Sequence, residues 1–145
     1  MRLVSDEAEG QQRFGVAQGA HVIDLTGRLP HYRSLRELIA GNAMAQARSV
    51  AETAEGHGVF DNRLDALTLL PPVLRPEKIW CIGANYAERK AEYRDQTEQP
   101  RYPSLFARSP GSFVGHDAAL VRPRQSEQLD YEDEIVLVTG RQAPG

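Results

Sequence analysis

Two glutamates stand two residues apart in the segment Leu129-Asp130-Tyr131-Glu132-Asp133-Glu134-Ile135-Val136-Leu137-Val138. Side chains alternate between the faces of a β-strand, so Glu132 and Glu134 are expected to project the same way. Two carboxylates side by side repel each other unless a cation lies between them. Oxygen-only ligands on a rigid strand suit Mg²⁺, Mn²⁺ or Ca²⁺ rather than zinc, which prefers nitrogen or sulfur. The same pattern also suits an exposed strand end whose acids stay solvated and discourage edge pairing. Two carboxylates are too few for a closed metal site, and no other residue is an obvious third ligand.

The elements that must carry this pair are legible in outline. Short strands are expected at Arg2–Ser5, Arg13–Ala17 and His21–Asp24, with turns at Gly10 and Gly19. Ser34 followed by Glu37 forms a capping box, and Leu35, Leu38 and Ile39 give that helix its apolar face. Gly41-Asn42 interrupts the helix. Ala43, Ala47, Val50, Ala51 and Ala54 then form a second stripe, ending at Gly56 and Gly58. The run Leu69-Leu70-Pro71-Pro72-Val73-Leu74-Arg75-Pro76 is too proline-rich for a central strand or helix, which places a domain boundary near residue 70. Beyond it, Lys78–Gly83 reads as a buried strand and Asn85–Arg94 as a short helix capped by Asn85, with Glu88 reaching back to the cap. Gln96–Pro103 is a polar loop. Leu105–Arg108 and Leu120–Arg122 read as strands around the turn Gly115-His116-Asp117. A last strand, Asp130–Thr139, bears the two glutamates, and Gly140–Gly145 reads as a turn.

Composition sets bounds on function. The 145 residues are 41% hydrophobic, enough for a packed core, and the formal net charge of −3 gives no broad basic surface for nucleic acid. No segment has the apolar length of a membrane span, and the N-terminus lacks the apolar stretch of a signal peptide. The single cysteine, Cys81, precludes a disulfide within the chain and is read as a buried small hydrophobe. A cytoplasmic location is the expectation that follows.

Three stretches together resemble the fumarylacetoacetate hydrolase family. Asp130–Arg141 is similar to that family's signature, an acidic-aromatic-Glu-x-Glu start, an apolar strand and then Gly-Arg. Lys78-Ile79-Trp80-Cys81-Ile82-Gly83-Ala84-Asn85-Tyr86 resembles its strand ending in Gly-x-Asn-Tyr. Leu105-Phe106-Ala107-Arg108 and Ser112-Phe113-Val114-Gly115-His116 resemble its intervening strand and turn. The resemblance implies an α+β, mainly β fold: a small N-terminal α/β domain over residues 1–70, then over 71–145 the first part of a mixed β-roll, left incomplete. It implies Glu132 and Glu134 as two of three metal carboxylates. The third, an aspartate, and a lysine used around the substrate would belong to later strands beyond this sequence.

One position departs from the pattern. Hydrolytic members carry histidine three residues after Asn-Tyr, with a glutamate three residues further on, a dyad able to take a proton from water near neutral pH. The matching residues here are Arg89 and Glu92. Arginine does not deprotonate in a protein and cannot be that base. Arg89 suits a substrate carboxylate or an ion pair with Glu92, and Glu92 suits either acid–base work or a solvated helix face. Glu88 reads as a cap and His116 as an exposed turn histidine. The resemblance places Arg108, Tyr86 and Ser112 near the substrate.

The implied function is a divalent-metal-dependent enzyme acting on small 2-oxo acids or acylpyruvates, by C–C hydrolysis, isomerisation or decarboxylation, in the catabolism of aromatic compounds or amino acids. Isomerase or decarboxylase chemistry needs the missing histidine least. The partners implied are a small oxo acid and a second copy in a homodimer, without nucleic acid or membrane. A different class of reading stays open: an inactive fragment or a degenerate binding module of the same fold. A chain this short, expressed alone, is expected to expose the apolar faces of Ile135–Val138 and Ile79–Ile82 and to aggregate or dimerise.

Overall fold

A computed structural model describes residues 1–83, 102–131 and 133–140. The chain divides into two compact units, Met1–Leu74 with Val114–Gly145, and Arg75–Phe113.

The first unit is built on a five-stranded antiparallel sheet. Strands β1 (Arg2–Ala8), β2 (Gln11–Gln18), β3 (His21–Asp24), β4 (Asn62–Arg63) and β5 (Thr68–Leu70) lie in the order β4-β3-β2-β1-β5. The expected first three strands and both turns are present. The β1–β2 hairpin closes through Glu9-Gly10, both with positive φ, the backbone a two-residue turn needs to match strand twist. Register then follows from the turn: Ser5 faces Phe14, Leu3 faces Val16, and Val16 faces Ile23 on the next strand. That face meets the helices. Helix α1 (Leu35–Ala40) and helix α2 (Met44–Gly56) contribute Leu35, Leu38, Ala47, Ala51 and Ala54 to a core with Phe14, Val16, Ile23, Leu25 and Leu29. Alanine at the buried positions of α2 is the stripe read from the sequence. Asn42, with φ of 56°, ends α1 as the Gly41-Asn42 pair predicts.

The α1 cap is half of the expected box. Ser34 Oγ accepts the Glu37 N–H at 3.2 Å, while the Glu37 carboxylate accepts the N–H of Arg33, one residue before the cap, at 2.8 Å. The prolines follow β5 directly. Ser5, buried on β1, donates its hydroxyl to Pro72 O at 2.8 Å, so the proline pair is fastened to the sheet.

On the other sheet face, Asp6 and Arg13 sit directly opposite each other on β1 and β2. Asp6 Oδ1 accepts from Arg13 Nε at 2.9 Å and Nη2 at 2.6 Å. Asp6 is among the few buried charged residues described.

A second ion pair closes the far edge. Asp61 accepts from the Asp24 N–H at 2.7 Å and from Arg28 Nη1 and Nη2 at 2.7 and 3.1 Å. Partial burial pushes the Asp61 carboxyl up, but the Arg28 and Asp24 hydrogen bonds outweigh it and hold the group below its usual range. A depressed folded value means that the stabilisation is present above about pH 4, the unfolded value, and is lost as pH falls through the folded one. Asp61→Asn is therefore expected to cost about 1 kcal/mol at pH 7. In urea denaturation the gap between variant and wild type should shrink by pH 3. An equal gap at both pH values would contradict this account.

The second unit holds a two-stranded antiparallel hairpin, β6 (Trp80–Gly83) and β7 (Ser104–Ala107), with Cys81 opposite Phe106 and Ile82 opposite Leu105. The expected strand at Leu105–Arg108 is present, one residue earlier. Of the strand expected over Lys78–Gly83 only Trp80–Gly83 forms, and it is not buried: Trp80 is 64% exposed, and Cys81 is only half-buried. Two strands have too few neighbours to cover their own faces.

Two further expectations need correction. Leu120–Arg122 forms no strand, and Leu120 and Val121 are exposed. The described residues of Asp130–Thr139 also form no strand, with Ile135, Val136 and Leu137 each at least 76% exposed. A strand needs a neighbour to take its backbone hydrogen bonds, and no described residue pairs with this run. The expected exposure of the apolar side chains at Ile82 and Ile135–Val138 is observed. The helix expected at Asn85–Arg94 lies outside the described residues. No described helix is long and apolar enough to cross a membrane.

Candidate active site

Of the two glutamates in the Glu-x-Glu segment, Glu134 is described and Glu132 is not. Glu134 is exposed and lies on irregular backbone rather than on the expected strand. Asp130, also exposed, accepts the Tyr131 N–H at 2.8 Å. The donor chemistry at Glu134 fits a hard divalent cation. Among the described residues no three histidine, cysteine, aspartate or glutamate side chains gather to complete a ligand set. Tyr86, Glu88, Arg89 and Glu92 also lie outside the described residues.

Arg108 and Ser112 belong to the second unit, on the segment that leaves β7. The Arg108 N–H donates to Ile79 O at 3.2 Å, which extends the β6–β7 ladder one step past β7. Its guanidinium carbon lies over the Phe106 ring, 5.1 Å from the centroid. Ser112 closes a 3₁₀ turn, Pro110–Ser112, that Ser109 caps by accepting the Gly111 N–H at 3.3 Å. The Ser112 hydroxyl is turned back into this loop and donates to Ser109 O at 2.7 Å. To meet a ligand, Ser112 must accept through its remaining lone pair or give up that bond.

His116 is exposed, as the turn predicts. Its Nε2 lies 3.6 Å from Asp117 Oδ2, with both side chains largely in solvent. It stands at the rim of a cavity of about 800 Å³ in the first unit, whose walls include Val4, Leu64, Leu67 and Leu69. Among the described residues, Glu134 does not line it. Nearby, the Arg63 hydrogen bonds hold the exposed Asp65 carboxyl below its usual range. Of the described candidate site residues, Arg108, Ser112 and Glu134 are not among its lining.

Sequence reading did not single out Phe106, whose ring the structure sets beside the Arg108 guanidinium. The signal was available in strand alternation: residues two apart on a strand share a face, so an aromatic two before Arg108 stands beside its side chain.

The family described as fumarylacetoacetate (FAA) hydrolase, C-terminal, matches residues 78–145. The oxaloacetate tautomerase YisK of Bacillus subtilis is 35% identical over 116 residues, covering 74% of this chain and 38% of that protein. The mitochondrial oxaloacetate tautomerase fahd2 of Xenopus laevis is 29% identical over 147 residues, covering 97% of this chain and 44% of that protein. A solved fumarylacetoacetate hydrolase from psychrophilic Exiguobacterium antarcticum superposes with a TM-score of 0.51 at 26% identity, covering 79% of this chain and 37% of its own. The chain thus spans about two fifths of the length of these relatives, and its α+β, mainly β architecture agrees with that of the solved structure. Through residues 78–145, with their Glu-x-Glu segment, this chain belongs to the fumarylacetoacetate hydrolase family.

Proposed function

We propose that the whole protein isomerises a small 2-oxo acid, keto–enol tautomerisation above all, with a divalent cation bound. The observation that carries this reading is the 35% identity, over 74% of the chain, to a protein named an oxaloacetate tautomerase. Arg89 supports it, because it stands where hydrolytic members have the histidine that activates water. Tautomerisation moves one proton between carbon and oxygen and needs no attacking water.

In this reading residues 1–70 form the small leading domain and 71–145 part of the catalytic one. Glu132 and Glu134 hold Mg²⁺, Mn²⁺ or Ca²⁺. The bound cation supplies positive charge where negative charge develops on a substrate oxygen. Glu92 takes and returns the proton. Arg89 and Arg108 grip substrate carboxylates, since a guanidinium offers parallel donors to two oxygens. Tyr86 and Ser112 line the substrate. The protein would act in the cytoplasm as a homodimer.

Ultraviolet absorbance of the enol, followed with oxaloacetate and with an acylpyruvate under Mg²⁺, Mn²⁺ or EDTA, tests the proposal. Oxaloacetate should equilibrate faster with the cation present, and Glu92→Gln should lower kcat by about 100-fold or more with little change in KM. Faster acylpyruvate cleavage, or turnover indifferent to EDTA, would overturn it. No turnover of either substrate would favour the inactive binding module.

A further inference from the structure

We infer that Phe106 is a positioning residue: its ring holds the Arg108 guanidinium ready for a carboxylate of the ligand. The inference rests on the functional reading above, in which Arg108 grips a substrate carboxylate, and it adds a residue that reading does not use.

Two independent contacts fix Arg108. The backbone is held by the bond from its N–H to Ile79 O, so the residue continues the strand register although β7 ends at Ala107. The side chain is held by the ring two residues earlier on the same strand face, with Cζ 5.1 Å from the ring centroid. A long arginine side chain otherwise samples many rotamers, and stopping that motion costs free energy when a ligand binds. A ring that holds the cation beforehand lowers this cost.

The way the side chain is held also matters. An aspartate or glutamate in the place of Phe106 would occupy the guanidinium donors and cancel its charge. An aromatic ring attracts the cation through its quadrupole and brings no acceptor oxygen. The charge stays available to an incoming carboxylate. Among the described residues no carboxylate is paired with Arg108. Phe106 is itself 43% exposed, more than core packing alone would leave it, and the pair faces solvent rather than the interior.

Oxalate, a dicarboxylate that does not turn over, serves as the probe, titrated into the protein while the Arg108 side-chain signals are followed by NMR. In the free protein the Arg108 methylene protons should be shifted upfield by the ring, and Phe106→Leu should abolish that shift while Phe106→Tyr keeps it. Oxalate should perturb the Arg108 signals, with a Kd about threefold weaker in Phe106→Leu and restored in Phe106→Tyr. An unchanged Kd in Phe106→Leu, or no oxalate response at Arg108 in the wild type, overturns the inference. Because the readout is binding, it succeeds or fails separately from the assignment of tautomerase activity, which the enol assay decides.

Discussion

Glu134→Gln is expected to lower the activity of the whole protein by about 100-fold and to flatten the calorimetric titration of Mg²⁺ or Mn²⁺. Glutamine is nearly isosteric with glutamate but lacks the negative charge that a hard dication requires. Charge stabilisation by a metal contributes several kcal/mol to a transition state, and about 2.7 kcal/mol corresponds to a hundredfold in rate. Glu132→Gln should behave the same way, since the two carboxylates are proposed to share one ion. Glu134 is exposed and makes no core contact, so the variant should denature at the same urea concentration as the wild type. That control separates a lost ligand from a lost fold. Unchanged metal binding in both variants would remove the Glu-x-Glu segment from the proposed centre.

The second large effect concerns the sheet that supports everything else in the first unit. Arg13→Ala is expected to destabilise the fold by about 3 kcal/mol, because it strands a buried carboxylate without its partner. Asp6 has only 4% of its side chain exposed, against 22% for Arg13, so the two ends of the pair are not equivalent. When Asp6 is removed instead, the Arg13 side chain can extend its charged end to water and keep its stem on the sheet. Asp6→Ala should therefore cost less, about 1–2 kcal/mol. The double variant Asp6→Ala/Arg13→Ala, which leaves no buried charge, should lose less stability than the sum of the two single losses. Urea denaturation of the four proteins makes a complete cycle. Equal costs for the two alanine variants would mean that burial does not govern this pair.

The Asp6–Arg13 pair also marks how far the sequence could be read. Turn chemistry at Glu9-Gly10 determines register, and Asp6 and Arg13 are equidistant from that turn, so their pairing was in principle legible in the sequence alone. Its burial was not, because that depends on what covers the second sheet face. The same division runs through the chain. Ser34 with Glu37, the alanine spacing of α2 and the alternation in β1 to β3 were legible because each depends on neighbours within a few residues.

Residues 130–140 show the opposite case. Local composition there reads as strand, Glu-x-Glu followed by four apolar residues, yet the described residues form none. Strand propensity is largely a preference for packing and pairing with neighbours, so a run without a partner has nothing to form against. The short strands β4 and β5 were unreadable for the complementary reason. Asn62-Arg63 and Thr68-Leu69-Leu70 are too brief to carry a pattern, and only the waiting edges of β3 and β1 make them strands. By itself the sequence determined the family, the residue types offered to a cation and a carboxylate, and the elements stabilised by local contacts. Tertiary structure alone decided which charges are buried and which strands find partners, because each of these depends on groups distant in the chain or on the solvent that reaches them.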